Sequence, residues 1–211
     1  WLFRVNNPMF QEKKGKDLAI GVSSRKEWRS WLRANHGTEI SVWLILFRKG
    51  SSKENLSYEE AVEEALCFGW IDSKPNKRDD SSYYLFFSKR KPRSNWSKPN
   101  RERANRLIKS GQMHPAGLEM IELAKETGTW DALKSVEDLV LPEDLKQAFK
   151  ENGKAMKHFQ SFPPSARKGI LEWLMNAKRS ETRSRRIQEI VTLAEKNIRA
   201  NQYNPGAKKR K

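Results

Sequence analysis

The chain has one cysteine, Cys67, among its 211 residues. A disulfide within the chain is therefore excluded, and an intracellular, reducing compartment is expected. Cytoplasmic, nuclear and organellar settings all stay open. There are three histidines, His36, His114 and His158. Their spacing from one another and from Cys67 fits no metal-ligand pattern, so no metal site and no cofactor are expected. No glycine-rich phosphate loop is present. No apolar run approaches the ~18–20 residues that cross a bilayer, so no membrane span is expected. No secretory signal is visible. The first residue is Trp1, not Met. That opening fits a removed leader, a cleaved organellar peptide among them, or a start inside a longer chain.

What the chain has is positive charge. Lys and Arg number 42 against 26 Asp and Glu, a net charge of +16. The excess is uneven. Residues 74–111 carry a net +9 and residues 153–211 a net +11, while residues 112–152 between them carry −5. Clustered cations suit a polyanion partner, nucleic acid first and an anionic membrane surface second. The plainer alternative is a solvated basic surface. Eight Trp and nine Phe supply the bulk for a core, since each aromatic ring can bury roughly 150–250 Å².

Along the chain, residues 1–23 read as a leader, a loop or a short strand. Ser24 and Glu27 form a capping-box pattern at the start of a helix whose Trp28, Trp31 and Leu32 share a face. Residues 40–49, ISVWLILFRK, read as a buried strand. Ser57 and Glu60 form a second capping box. The helix after it turns Tyr58, Ala61, Val62, Ala65 and Leu66 inward and four Glu, residues 59, 60, 63 and 64, outward. Trp70 to Ser73 is a short strand, and Ser82 to Ser88 a third. These give an α+β body with a small antiparallel sheet of about three strands covered by helices. A helical module follows. The expected divisions are 1–23, 24–135, 136–203 and a basic tail 204–211.

Two clusters suggest phosphate contact. Arg90, Arg93, Lys98 and Arg101 gather around Trp96, so cations could neutralise phosphates while the indole stacks on an unpaired base. That mixture suits RNA better than a duplex groove. The alternative places Trp96 in the core. Arg183, Arg185 and Arg186 lie at the start of the last helix, where free amides favour an anion. Their alternative role is an ion pair holding that helix to its neighbours. A second kind of site, a pocket for a small polar ligand, would use Trp70, Asp72, Arg90, Trp96 and Asn100. No catalytic residue is assigned. Asp72, Asp79 and Asp80 lack a His or Cys at metal-ligand spacing, and Asp79-Asp80 suits a turn between strands. Cys67 sits between Leu66 and Phe68 and reads as a buried thiol.

Trp28-Arg29-Ser30-Trp31-Leu32, Asn35-His36 and Ala65-Leu66-Cys67-Phe68-Gly69-Trp70-Ile71-Asp72 resemble the YdeI/OmpD-associated family, also called bacteriocin-protection proteins. So do Ser94-Asn95-Trp96-Ser97 with Asn100, Gly111-Gln112-Met113-His114-Pro115-Ala116-Gly117, and Glu181-Thr182-Arg183 with Arg186-Ile187. The resemblance spans residues 24–200 or so. It implies no catalytic residues. The family name implies a stress or antimicrobial-peptide link, and the +16 charge argues against direct capture of cationic peptides. The expected function is a non-enzymatic basic protein that contacts RNA or a ribonucleoprotein. The alternative is a small-ligand-binding protein or an enzyme of that family with a protective role. The oligomeric state is not legible.

Overall fold

A computed structural model describes residues 10–51 and 56–201. The basic tail 204–211 and the first nine residues lie outside the described residues. The chain divides into two compact units, 1–131 and 132–211, each with its own core.

The first unit holds a five-stranded mixed sheet, in the order β1-β2-β3-β5-β4. Its strands are β1 (Phe10–Lys14), β2 (Asp17–Gly21), β3 (Ser41–Phe47), β4 (Trp70–Lys77) and β5 (Ser82–Lys89). The three-stranded antiparallel sheet expected from the sequence is thus corrected. Two further strands come from residues 10–21, and β2 runs parallel to β3. The signal was weak because β1 is FQEKK, a polar edge strand without the alternation of a half-buried one. Gly15, at φ 65°, turns β1 into β2. Helix α1 (Arg25–Asn35) makes the crossover that a parallel pair requires.

Four helices belong to this unit: α1, α2 (Tyr58–Cys67), α3 (Lys98–Lys109) and α4 (Pro115–Glu126). Ser24 caps α1 by accepting from the Glu27 amide, and Ser57 with Glu60 completes a reciprocal box on α2. Val42, Leu44 and Leu46 of β3 and Leu85 and Phe87 of β5 face one way, into a core with Trp28, Trp31, Leu66 and Trp70. The Trp28 ring lies 5.4 Å from Trp31 and 5.3 Å from Phe87, and its indole N–H donates to the Ala61 carbonyl. Trp43, Ile45 and Phe47 face the other way with Tyr84 and Phe86.

The second unit is helical in the described residues: α5 (Lys134–Glu137), α6 (Glu143–Lys150), α7 (Gly153–Ser161), α8 (Pro164–Met175) and α9 (Ser180–Glu195). Leu145, Phe149, Phe159, Ile170, Leu174 and Ile190 form its core.

The motif residues around Gly69 and Gly117 have a packing reason. The C-terminal end of α2 and the N-terminal end of α4 meet backbone to backbone, with the His114 amide donating to the Cys67 carbonyl at 3.1 Å. A Cβ on Gly117 would stand 2.3 Å from that carbonyl oxygen. Gly69, at φ 74°, turns the chain from α2 into β4 beside Ala116 and Met120. Gly117→Ala is therefore expected to lower stability by about 2–3 kcal/mol, read as a lower midpoint in urea at unchanged slope. An unaffected midpoint would show that the two helix ends separate without cost.

Candidate functional site: a groove beside a buried arginine

The residues expected to bind nucleic acid separate into buried and exposed sets. Trp96 is 1% exposed. Its ring packs 5.0 Å from Trp130, its amide donates to the Thr129 carbonyl, and its own carbonyl accepts from Arg101 at 2.7 Å. No face is left for a base. Arg90 is 4% exposed, with its guanidinium 3.8 Å from the centre of the Trp96 ring and Nη2 donating to the Asn95 carbonyl at 2.6 Å. Arg101 is half-buried and also reaches the Trp130 carbonyl. Arg183 makes two bonds to Asp144, at 2.5 and 2.9 Å, so it ties α9 to α6. Arg186 donates to the Trp173 carbonyl and lies over that ring. These five are buried or half-buried, with the polar groups just named bonded within the protein. Arg93, Lys98 and Arg185 are exposed, as is Lys91.

The residues expected to line a ligand pocket do come together in part. Arg90 and Trp96 are in contact, and the Asp72 charge acts on Arg90. Burial pulls Arg90 down to about 10, partly offset by Asp72; it stays protonated at neutral pH. Among the described residues its Nε and Nη1 groups find no hydrogen-bond partner, and neither does the Trp70 indole N–H. Asn100 is buried and accepts from Arg103. Arg90, Trp96, Trp70 and Asn100 are thus a packed interior and not the walls of an opening. A buried cation costs several kcal/mol. The indole face and one charge-assisted hydrogen bond return about 2 kcal/mol each, so the balance is near zero.

The opening lies next to them. A groove of about 610 Å³ is lined by Arg48, Tyr58, Asp72, Lys77, Tyr83 and others. Asp72 is the one residue it shares with the expected pocket. The Tyr58 hydroxyl donates to Asp72 Oδ2 at 2.8 Å, and burial followed by this bond pushes Tyr58 up to about 12. The ladder between β4 and β5 shifts between Asp72 and Pro75, so Ser73 and Lys74 bulge on an edge strand. Arg48 lies 6.0 Å from the Tyr83 ring. Arg48, Tyr58, Lys77 and Tyr83 line the groove without having been legible in the sequence as site residues. Arg48, Lys77 and Tyr83 are 35 positions apart at most widely, and only the β3–β5 pairing and the β4–β5 hairpin join them.

Other titratable groups have structural tasks. Glu64, read as outward-facing, is 3% exposed; it holds Arg25 and Arg29 at 2.6 Å each. Asp79 caps the turn at Ser81 and Ser82 and is drawn down to about 2 by those bonds. Cys67 is buried, and burial pushes its thiol up to about 11, away from a reactive thiolate. His36, Phe68 and His114 stack together, and burial with the charges of His36, Arg33 and Arg29 holds His114 below its ordinary value. Among the described residues no three His, Cys, Asp or Glu converge as a metal site, and no helix is long and apolar enough to cross a membrane.

The described residues thus form an α+β unit and a helical unit. Residues 138–197 match the family described as "Bacteriocin-protection, YdeI or OmpD-Associated", the family that the sequence resembles, over that part of the chain. Residues 20–120 match a separate model, "Domain of unknown function (DUF8412)". The single resemblance read across both halves therefore divides between two families, and the ALCFGWID and SNWS motifs fall in the second of these. Neither the curated proteins nor the solved structures give a match.

Two outcomes are expected. Arg90→Met should leave stability within about 1 kcal/mol of the parent, since a buried cation is replaced by apolar volume, whereas Arg90→Ala should cost about 3 kcal/mol through the cavity under Trp96. Urea denaturation of both distinguishes them. The second concerns pH. His114 binds its proton less readily folded than unfolded, so its contribution is present above the ordinary value near 6.5 and is lost as pH falls through the folded value. His114→Asn keeps a side-chain acceptor at the α4 cap. Its melting temperature should fall less than the parent's between pH 7.5 and 5.5.

Proposed function

We propose that the protein is a non-enzymatic binding protein that contacts RNA, free or within a ribonucleoprotein, through exposed cations of its first unit. The observation that carries this reading is the segment between β5 and α3. Lys91, Arg93 and Lys98 are exposed within eight residues of one another. The Arg90–Trp96 stack inside that segment gives it a fixed shape. Fixed cations bind phosphates without first paying the entropy of ordering a loop. The groove at Asp72 adjoins this segment through Arg90 and offers two tyrosines and two further cations. In the second unit only Arg185, of the three arginines expected there, is an exposed group, so that cluster supports the reading less.

A small-ligand reading is favoured by one observation, the groove itself. Its volume falls within the roughly 300–1,000 Å³ of small-molecule sites. The family's nominal protective role finds no support in the charge, since a chain of net +16 repels cationic peptides.

Affinity for a single-stranded RNA, measured across salt, tests the proposal. Each phosphate contact on a single strand contributes roughly 0.7 to the slope of log affinity against log salt. Replacing Lys91, Arg93 and Lys98 together by Ala should reduce that slope by roughly 2. A flat salt response in the parent would falsify the reading.

A further inference from the structure

Resting on that RNA-binding reading, we propose that the groove beside Asp72 takes one unpaired guanine base, stacked on Tyr83 and read by the Asp72 carboxylate. Three observations converge. The first is the stacking floor. Tyr83 is half-buried and lines the groove, so part of its ring is open to it. The Arg48 guanidinium lies over that ring at 6.0 Å and is exposed. An exposed guanidinium at that distance is held loosely and has to move outward for a flat heterocycle to stack on the tyrosine, where it can then cover the base.

The second is the state of Asp72. A half-buried carboxylate next to a buried arginine would ordinarily form an ion pair with it. Here Arg90 turns to Trp96 and the Asn95 carbonyl instead. Asp72 receives one protein donor, the Tyr58 hydroxyl on Oδ2. That bond fixes the plane of the carboxylate. Oδ1 accepts no hydrogen bond among the described residues, and Oδ2 keeps a second lone pair.

The third is chemical complementarity. A carboxylate accepts two parallel N–H bonds. Guanine alone among the four RNA bases presents two adjacent donors, N1–H and the N2 amino group, on its pairing edge. Adenine and cytosine present an acceptor beside their amino group, and uracil places its single N–H between two carbonyls. Each of these sets a lone pair against the carboxylate, so Asp72 selects guanine both by attraction and by repulsion of the rest. Lys77 lines the same groove, and among the described residues it pairs with the fully exposed Asp80 at 3.2 Å. Such a surface pair is weak, so Lys77 is available to a flanking phosphate.

The test uses the full chain and fluorescence anisotropy with labelled pentamers UUGUU, UUAUU, UUCUU and UUUUU. UUGUU is expected to bind roughly tenfold more tightly than the other three. Guanosine 5′-monophosphate should compete, and adenosine 5′-monophosphate should not. Asp72→Asn should erase the preference, so that this variant binds UUGUU and UUUUU with affinities within about twofold of each other. Tyr83→Leu, which keeps an apolar floor, should weaken UUGUU roughly fivefold or more; it serves if Asp72→Asn fails to fold by circular dichroism. Equal binding of all four pentamers, or a preference that survives Asp72→Asn, overturns the guanine site and leaves RNA binding intact. Competition-grade binding of guanosine 5′-monophosphate with no pentamer binding supports the base site and overturns the RNA reading. Failure of both ligands to bind overturns both.

Discussion

A guanidinium buried against an indole fixes the functional side of the first unit. Arg90 follows β5 and Trp96 precedes α3, and their stack at 3.8 Å closes the segment between them. Arg101 and Thr129 then hold the Trp96 backbone from two sides. The cost of burying the cation is large, and the ring face and one strong hydrogen bond roughly offset it. The consequence reaches outward. The neighbouring cations are held on a short, shaped segment, and Asp72 is left without the arginine that would otherwise neutralise it. A stack that contributes little net stability therefore decides how the charges around it are arranged.

The most recognisable stretches of the chain are mainly about packing. ALCFGWID carries the end of α2, the Gly69 turn and the start of β4. GQMHPAG carries the cap and first turn of α4. They meet where the Cys67 carbonyl lies against Gly117, a contact that excludes any side chain there. SNWS supplies the buried Trp96. Motifs this specific mark close backbone approaches and core aromatics, while the groove uses residues of ordinary appearance. A family resemblance built on such motifs speaks for the fold more than for the ligand.

Much of the fold was legible. The capping serines of α1 and α2, the β-branched run of β3 and the helical second half follow from local periodicity and turn chemistry. Residues 10–21 escaped because β1 is a polar edge strand and the apolar run of β2 is only Leu18 to Ile20; pairing with β3 gives the hairpin its place. Glu64 escaped because a glutamate on a helix reads as solvated, and only Arg25 and Arg29, 39 and 35 positions away, make its burial tolerable. Trp96, Arg183 and Arg186 were read with both a surface role and an internal one left open, while the burial of Arg90 was not foreseen, since sequence spacing does not record which face of a cation meets water.

The sequence by itself determined the chemistry on offer: a single thiol, scattered histidines, and a positive excess concentrated in two blocks. These depend on residue identity and on neighbours within a helical turn or a hairpin. The tertiary structure alone decided which cations remain outside and which are spent within. It also brought Arg48, Tyr58, Asp72 and Tyr83 to one groove through a strand pairing and a hairpin. The physical reason is that burial and ion pairing are properties of contacts between distant segments, and no local pattern of charge or hydropathy encodes them.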